Sequence, residues 1–244
     1  MSASPYPQAL VDELAMGRFD QDYIDDALLD RLVEAVAAVR PEVARIADFG
    51  GGNGRFLDRL LSRMPRAHGT NYEISAHLRS LNAAPPRKEL VATSFLSLDR
   101  HSQYDLVLMN WVLHHLVGKD LPATKQLIAD AAAVAYDVLK PGGVLVVSEN
   151  LLQSSFRAGI SSAALFMVTR SRLLRPIVSR MRDGKAVAGV GIYYMSETEL
   201  GSVLARFEPV TTFDRGAHDY GWKLRPIGIT CVREKVLVFR KPGG

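Results

Sequence analysis

Three groups of residues in this 244-residue chain have the types and spacing of a chemical site. The first is Asp48-Phe49-Gly50-Gly51-Gly52-Asn53-Gly54, of the form D-x-G-x-G-x-G, at the end of the apolar run Arg45 to Phe49. Glycines at this spacing let the backbone approach a ligand closely, and a helix starting just after them turns free N–H groups toward it. A nicotinamide dinucleotide turn needs glycine three residues past Gly52, where Arg55 stands, and there is no G-x-x-x-x-G-K-[ST] phosphate loop. The acid ahead of the turn suits a cationic ligand better than a pyrophosphate. The second group, Tyr72-Glu73-Ile74-Ser75, ends the next strand with a carboxylate placed to accept both hydroxyls of a ribose. The third, Asn110-Trp111-Val112-Leu113-His114-His115-Leu116, puts two imidazoles just beyond another strand. Histidine titrates near neutrality, so His114 or His115 can serve as a general base; a pocket wall and a hydrogen-bonded structural role are the alternatives.

The pattern of apolar residues predicts the elements that hold these groups. Tyr23, Ile24, Ala27, Leu28, Leu32, Val36 and Val39 recur at helical spacing between Asp20 and Val39, with Pro41 as the stop. Strand, glycine turn and helix follow, the helix marked by Phe56, Leu57, Leu60 and Leu61. Strands are expected at Arg66 to Glu73, Glu89 to Thr93, Tyr104 to Asn110 and Val144 to Ser148, with a helix from Ser75 and a long one from Pro122 to Leu139. Lys140-Pro141-Gly142-Gly143 breaks that long helix. Such alternation implies an α/β fold with a doubly wound, mostly parallel, Rossmann-like sheet, expected to have seven strands. Ligands of such sheets bind outside the carboxyl ends of the strands. After Asn150 the alternation lapses, and Phe156 to Met181 reads as one or two apolar, arginine-bearing helices with a break at Pro176. Ser196 and Glu199 form a capping box that starts a helix reaching about Arg206. Val210 to Phe213 and Ile229 to Phe239 read as an antiparallel pair at the sheet edge.

With these elements in place, the chain resembles class I S-adenosylmethionine-dependent methyltransferases, in their small-molecule branch. The resemblance covers roughly Arg45 to Glu149 and rests on four ordered motifs: DFGGGNG, NYEIS, YDLVLMNWVLHHL and LKPGGVLVVSE. It implies S-adenosylmethionine as cofactor and S-adenosylhomocysteine as product. Gly50 and Gly52, with Gly51 between them, would line the methionine moiety, Asp48 would order the turn near the cofactor's amino group, Glu73 would hold the ribose and Ile74 would pack on the adenine. Asn110 and Trp111 would close the other side. Many members place an acid where Ser94 stands beside Phe95, so the sequence departs from the pattern there. Trp111-Val112-Leu113-His114 matches part of the W-x-x-H-D-W segment in which histidine is the base, although His115 replaces the aspartate. For Ile74, Phe95 and Trp111 the alternative is ordinary core packing.

Composition bounds the rest. Hydrophobic residues make up 48% of the chain and charged ones 23%, with mean hydropathy near zero, which fits one globular domain. Its expected parts are a helical cap (1–40), a cofactor-binding core (41–150), a helical substrate lid (151–195) and a terminal helix and β-hairpin (196–244). Cys231 is the only cysteine, so no internal disulfide forms, and no metal site is expected. MSASPYPQ lacks the features of a signal peptide, and the apolar run Ala163 to Val168 is too short to span a bilayer, so a cytoplasmic protein is expected. The net charge of +4 is uneven. Residues 1–40 carry 8 acids and 3 bases, 41–150 carry 11 and 12, 151–190 carry 1 and 7, and 191–244 carry 6 and 8. No N-P-P-[YF] segment follows the fourth strand, which argues against methylation of a flipped DNA base, and no nucleic-acid partner is expected.

The long stretch after Leu151 is expected to be a substrate lid. Phe156, Ile160, Leu165, Phe166, Met167, Leu173 and Ile177 would wall an apolar pocket, and the lid arginines would meet an anionic or carrier-bound substrate. A solvated face or a membrane surface are the other readings of those arginines. Tyr23, Glu149, Phe166 and Tyr194 are the candidate substrate contacts. The reading is methyl transfer to O, N or C of a small, largely apolar, aromatic or ring-bearing metabolite; a homodimer is compatible with it. The alternative is an S-adenosylmethionine-binding protein that transfers no methyl group.

Overall fold

The computed structural model describes residues 24–83, 85–156, 159–180, 189–218 and 225–243. Of the expected cap, the part that includes Tyr23 lies outside these residues. Seven strands form one sheet: β1 (Arg45–Phe49), β2 (His68–Tyr72), β3 (Lys88–Val91), β4 (Tyr104–Asn110), β5 (Leu139–Ser154), β6 (Glu208–His218) and β7 (Ile229–Arg240). Their order is β3-β2-β1-β4-β5-β7-β6, with β1 to β5 parallel and β7 antiparallel to both β5 and β6. The chain winds outward from β1 to β3 and then crosses to β4 on the other side of β1, so the crevice at the strand ends lies between β1 and β4.

The two faces of the sheet follow from the two-residue period of its strands. Ile46, Leu106, Leu108, Val144 and Val146 point to one face, where they meet Leu28, Leu29, Leu32 and Val36 of α1 (Asp26–Val39) and Phe56, Leu57 and Leu60 of α2 (Arg55–Arg63). Ala47, Val107, Met109, Leu145 and Val147 point to the other, against Ile128, Ala131, Ala135 and Val138 of the helix Leu121–Val138. Between these lies the one-turn helix α3 (Ala76–Ser80), capped by Ser75 as expected. The long helix is α4; α5 (Ile160–Arg170), α6 (Arg175–Val178) and α7 (Glu197–Val203) follow. The Ser196–Glu199 capping box forms, and α7 ends a turn earlier than the sequence suggests. Among the described residues, no helix is long and apolar enough to cross a membrane.

Strand β5 departs most from expectation. It continues past Ser148 to Ser154 because Glu149 to Gln153 pair with Lys235 to Cys231 of β7, so the insertion begins after Ser154 rather than at Leu151. Lys140 to Gly143 form an irregularity within it: Leu139 pairs with Tyr104, and the ladder resumes at Val144 with Leu106.

At the amino end of β4, the carboxylate of Asp105 ties three elements together. It accepts from Arg40 (2.5 Å), Lys140 (2.9 Å) and the backbone amides of Arg45 (2.9 Å) and Ala44 (3.0 Å). Burial alone would raise its pKa, but Lys140, the two amides and Arg40 together hold it below the usual value of 3.8. Asp105→Ala should cost about 3 kcal/mol, because it strands two cations and two amides that are only partly exposed. Chemical denaturation measures the loss. A depressed carboxylate contributes its stability above the unfolded pKa and loses it as pH falls through the folded one, so the gap to wild type should persist to about pH 4 and close below it.

Candidate cofactor and active site

The glycine turn is built at the carboxyl end of β1. Gly50 N–H donates to the Tyr72 carbonyl at 2.8 Å and Gly54 N–H to that of Gly51 at 2.9 Å, which folds the loop back on itself. A Cβ at Gly51 would stand 2.2 Å from both Asp48 Oδ2 and Asn71 Nδ2, so no side chain fits. Gly50 has φ +65°, and its Cβ would come within 2.5 Å of the Val112 side chain. Behind the turn, Asn82 Nδ2 donates to the Gly52 carbonyl at 3.2 Å while Asn82 Oδ1 accepts from the buried Lys88 ammonium at 2.5 Å. Lys88 also pairs with Asp58 of α2 at 2.7 Å. The turn is therefore braced by β3 and α2. Sequence reasoning missed Asn71, Asn82 and Lys88, whose roles exist only through these distant pairings.

Glu73 closes the crevice from the end of β2. Its Oε2 accepts from Gly52 N–H at 3.1 Å and its Oε1 from Ser75 N–H at 2.7 Å. Burial pushes its pKa up, opposed by those two amides, by Arg79 and by the Ile74 amide. A carboxylate has about four acceptor positions, so with these amides engaged one remains for a ligand hydroxyl. Asp48 is 1% exposed, and its Oδ1 has no hydrogen-bond partner among the described residues. Burial, above all, pushes its pKa up to about 7; Glu73 adds to the rise, while Lys88 and the Asn71 amide at 3.4 Å oppose it.

On the other side of the crevice, the turn Leu113–His115 follows β4. His114 Nδ1 is paired with Glu149 Oε1, and the backbone N–H of His114 donates to Oε2 at 3.2 Å. Glu149 is fully buried and also accepts from the Asn150 amide at 3.0 Å. The Tyr194 ring meets His114 edge-on at 5.3 Å, and the two histidine rings lie 4.1 Å apart. His115 is solvent-accessible, yet surrounding protein, with His114 beside it, holds its pKa well below the usual histidine range. His114 follows the end of β4, and Glu149 stands in β5 one residue past the last β4–β5 pair, Asn110 with Ser148, so the ladder brings the two side chains together.

Several expected site residues are engaged elsewhere. Phe95 stacks on Phe49 in the core, with centroids 4.6 Å apart and planes 7° off parallel. Ser94 accepts from the Leu96 amide at 3.3 Å and caps the turn Phe95–Ser97. Trp111 is buried against Phe56, with φ +50°. Asn110 Oδ1 accepts from Ser148 at 2.7 Å, and Ile74 is half-buried next to Glu73. Phe166 is 1% exposed and packs on Tyr193 inside the core, leaving no face for a ligand. Phe156, Ile160, Met167, Leu173 and Ile177, expected as pocket wall, are exposed instead, because α5 buries its other side. The arginines at 157 and 182 lie outside the described residues. A cavity of about 720 Å³ beside Arg40, Asp105, Lys140 and Arg240 lies at the amino ends of the strands, away from the glycine turn and His114.

A family model described as a methyltransferase domain matches residues 19–208. No curated protein matches the chain in sequence. Solved structures share the fold. The N-methyltransferase NodS from Bradyrhizobium japonicum WM9, in complex with S-adenosyl-L-homocysteine, is 15% identical, over 92% of this chain and 91% of that one, with a TM-score of 0.57. The 1,6-didemethyltoxoflavin-N1-methyltransferase from Burkholderia thailandensis, with its substrate and S-adenosylhomocysteine bound, is 20% identical, over 93% and 83%, with a TM-score of 0.54. The [4+2]-cyclase SpnF is 18% identical, over 88% and 82%, with a TM-score of 0.58. With the family model spanning most of its length and the seven-stranded sheet carrying the glycine turn and Glu73 at the strand ends, this chain belongs to the class I S-adenosylmethionine-dependent methyltransferase family.

Proposed function

We propose that the protein transfers a methyl group from S-adenosylmethionine to an O, N or C atom of a small, largely apolar, aromatic or ring-bearing metabolite. The cofactor fits the residues present: Glu73 retains an acceptor position for a ribose hydroxyl, and Asp48 Oδ1 is buried without a partner among the described residues. When bound, S-adenosylmethionine supplies an electrophilic sulfonium methyl, and displacement by the acceptor breaks the C–S bond with its electron pair going to sulfur. The observation that carries the reading is the His114–Glu149 pair. Glu149 engages Nδ1, which leaves Nε2 to take the proton of an acceptor O–H or N–H as its lone pair attacks. The buried carboxylate then stabilises the imidazolium. Tyr194 and the neutral His115 border the same ring and would meet the acceptor.

Incubating the protein with methyl-labelled cofactor and a metabolite extract tests the proposal, a labelled product being the expected result. Calorimetric binding of S-adenosylmethionine without labelled product from any extract would favour the non-methylating alternative. No binding heat at millimolar ligand would sink both readings.

Asp48 makes a further prediction. Its folded pKa of about 7 lies above the usual value of 3.8, so ionised Asp48 weakens the unliganded fold increasingly as pH rises between those values and by a constant amount above about 7. A cationic cofactor beside it favours ionisation. Binding should therefore release a proton below pH 7, and affinity should rise with pH toward 7 and then level. Calorimetry in buffers of different ionisation heat reads the proton release, which Asp48→Asn should abolish.

A further inference from the structure

We infer that the outer face of α5 and α6 is a docking surface for a membrane of anionic lipid. Among the described residues six large apolar side chains stand exposed, and five of them fall between Phe156 and Ile177. Leu173 is 91% exposed, Met167 64% and Ile177 61%, values that leave them almost no contact within the fold. The inner side of helix α5 is already occupied: Leu165 and Phe166 are buried, as are Ser161, which bonds Ser154 at 2.6 Å, Ser162, which reaches Glu199 at 3.4 Å, and Thr169, which donates to the Leu165 carbonyl at 2.8 Å. Its outer side, Ile160, Ala163, Ala164 and Met167, carries no polar group at all. A surface helix normally turns its charges to water, so an outward hydrocarbon face implies a covering environment.

Charge selects the occupant. Arg172, Arg175 and Arg180 are exposed beside Leu173 and Ile177, and residues 151–182 contain no acid. Protruding apolar side chains flanked by guanidinium groups that pair with no acid among the described residues complement acyl chains beneath anionic headgroups. A second copy meeting this face through a twofold axis would set the same arginines against each other. The inference does not depend on which acceptor is methylated.

Co-sedimentation of the full chain with vesicles tests it, using phosphatidylglycerol mixed with phosphatidylcholine and phosphatidylcholine alone. Binding is expected only to the anionic vesicles and should weaken with salt. Arg172→Gln/Arg175→Gln/Arg180→Gln should lower the partition on the order of a hundredfold, and Leu173→Ser/Ile177→Ser on the order of tenfold. Both variants should keep the wild-type unfolding temperature, since these positions lie outside the core. Failure to bind at any anionic fraction, or binding that neither variant weakens, would overturn the inference. So would sedimentation velocity showing self-association, or a complex with an acidic protein, lost in the Leu173→Ser/Ile177→Ser variant while vesicles remain unbound.

Discussion

His114→Ala should lower kcat by about 10²- to 10⁴-fold, the range expected when a positioned general base is removed, while cofactor affinity changes little. The ring is held at Nδ1 by Glu149 and by nothing in the cofactor turn, so its loss affects proton transfer rather than cofactor binding. Single-turnover rates across pH separate the roles. An enzyme with a histidine base loses activity in acid as the imidazole is protonated, and that acidic limb should disappear in His114→Ala. Glu149→Gln should fall between wild type and His114→Ala, because the amide retains the shape but no longer balances an imidazolium. If His115→Ala loses the limb instead, His115 is the base. If both variants keep wild-type rates, alignment alone accounts for catalysis.

Glu73→Ala should weaken S-adenosylmethionine binding by about 10- to 10²-fold, the equivalent of one charge-assisted hydrogen bond to a ribose hydroxyl. The variant also leaves the Gly52, Ser75 and Ile74 amides without their acceptor, which should cost on the order of 1 to 3 kcal/mol of stability. Glu73→Gln isolates the charge: its side-chain oxygen can keep accepting from a backbone amide, so stability should suffer less than affinity. Calorimetry with S-adenosylhomocysteine and denaturant unfolding read the two effects separately. Wild-type affinity in Glu73→Ala would show that the ribose lies elsewhere.

The alternation of strands and helices, the Ser196–Glu199 cap and the location of the crevice were legible in the sequence because they follow from local rules. Tyr104 to Asn110 was recovered as a strand with both ends correct, since an apolar run between turn residues leaves little choice. The Ser196–Glu199 cap was likewise legible, as its two hydrogen bonds join residues three apart. The extension of β5 to Ser154 was not: Glu149 to Gln153 become strand only when a partner about eighty residues later lies alongside. Phe95, Trp111 and Phe166 show the same limit, because an aromatic side chain packs equally well against a ligand or against Phe49, Phe56 or Tyr193.

The sequence by itself determined the alternating fold, the glycine turn, the carboxylate after β2 and the basic character of residues 151–190, all properties of residue type and spacing. Only the tertiary structure decided that Glu149 engages His114, that α5 buries Leu165 and Phe166 while leaving Ile160 and Met167 exposed, and that Asp48 Oδ1 is buried without a partner among the described residues. Each of those depends on which surfaces meet across long stretches of chain, and on the desolvation that results, neither of which local periodicity encodes.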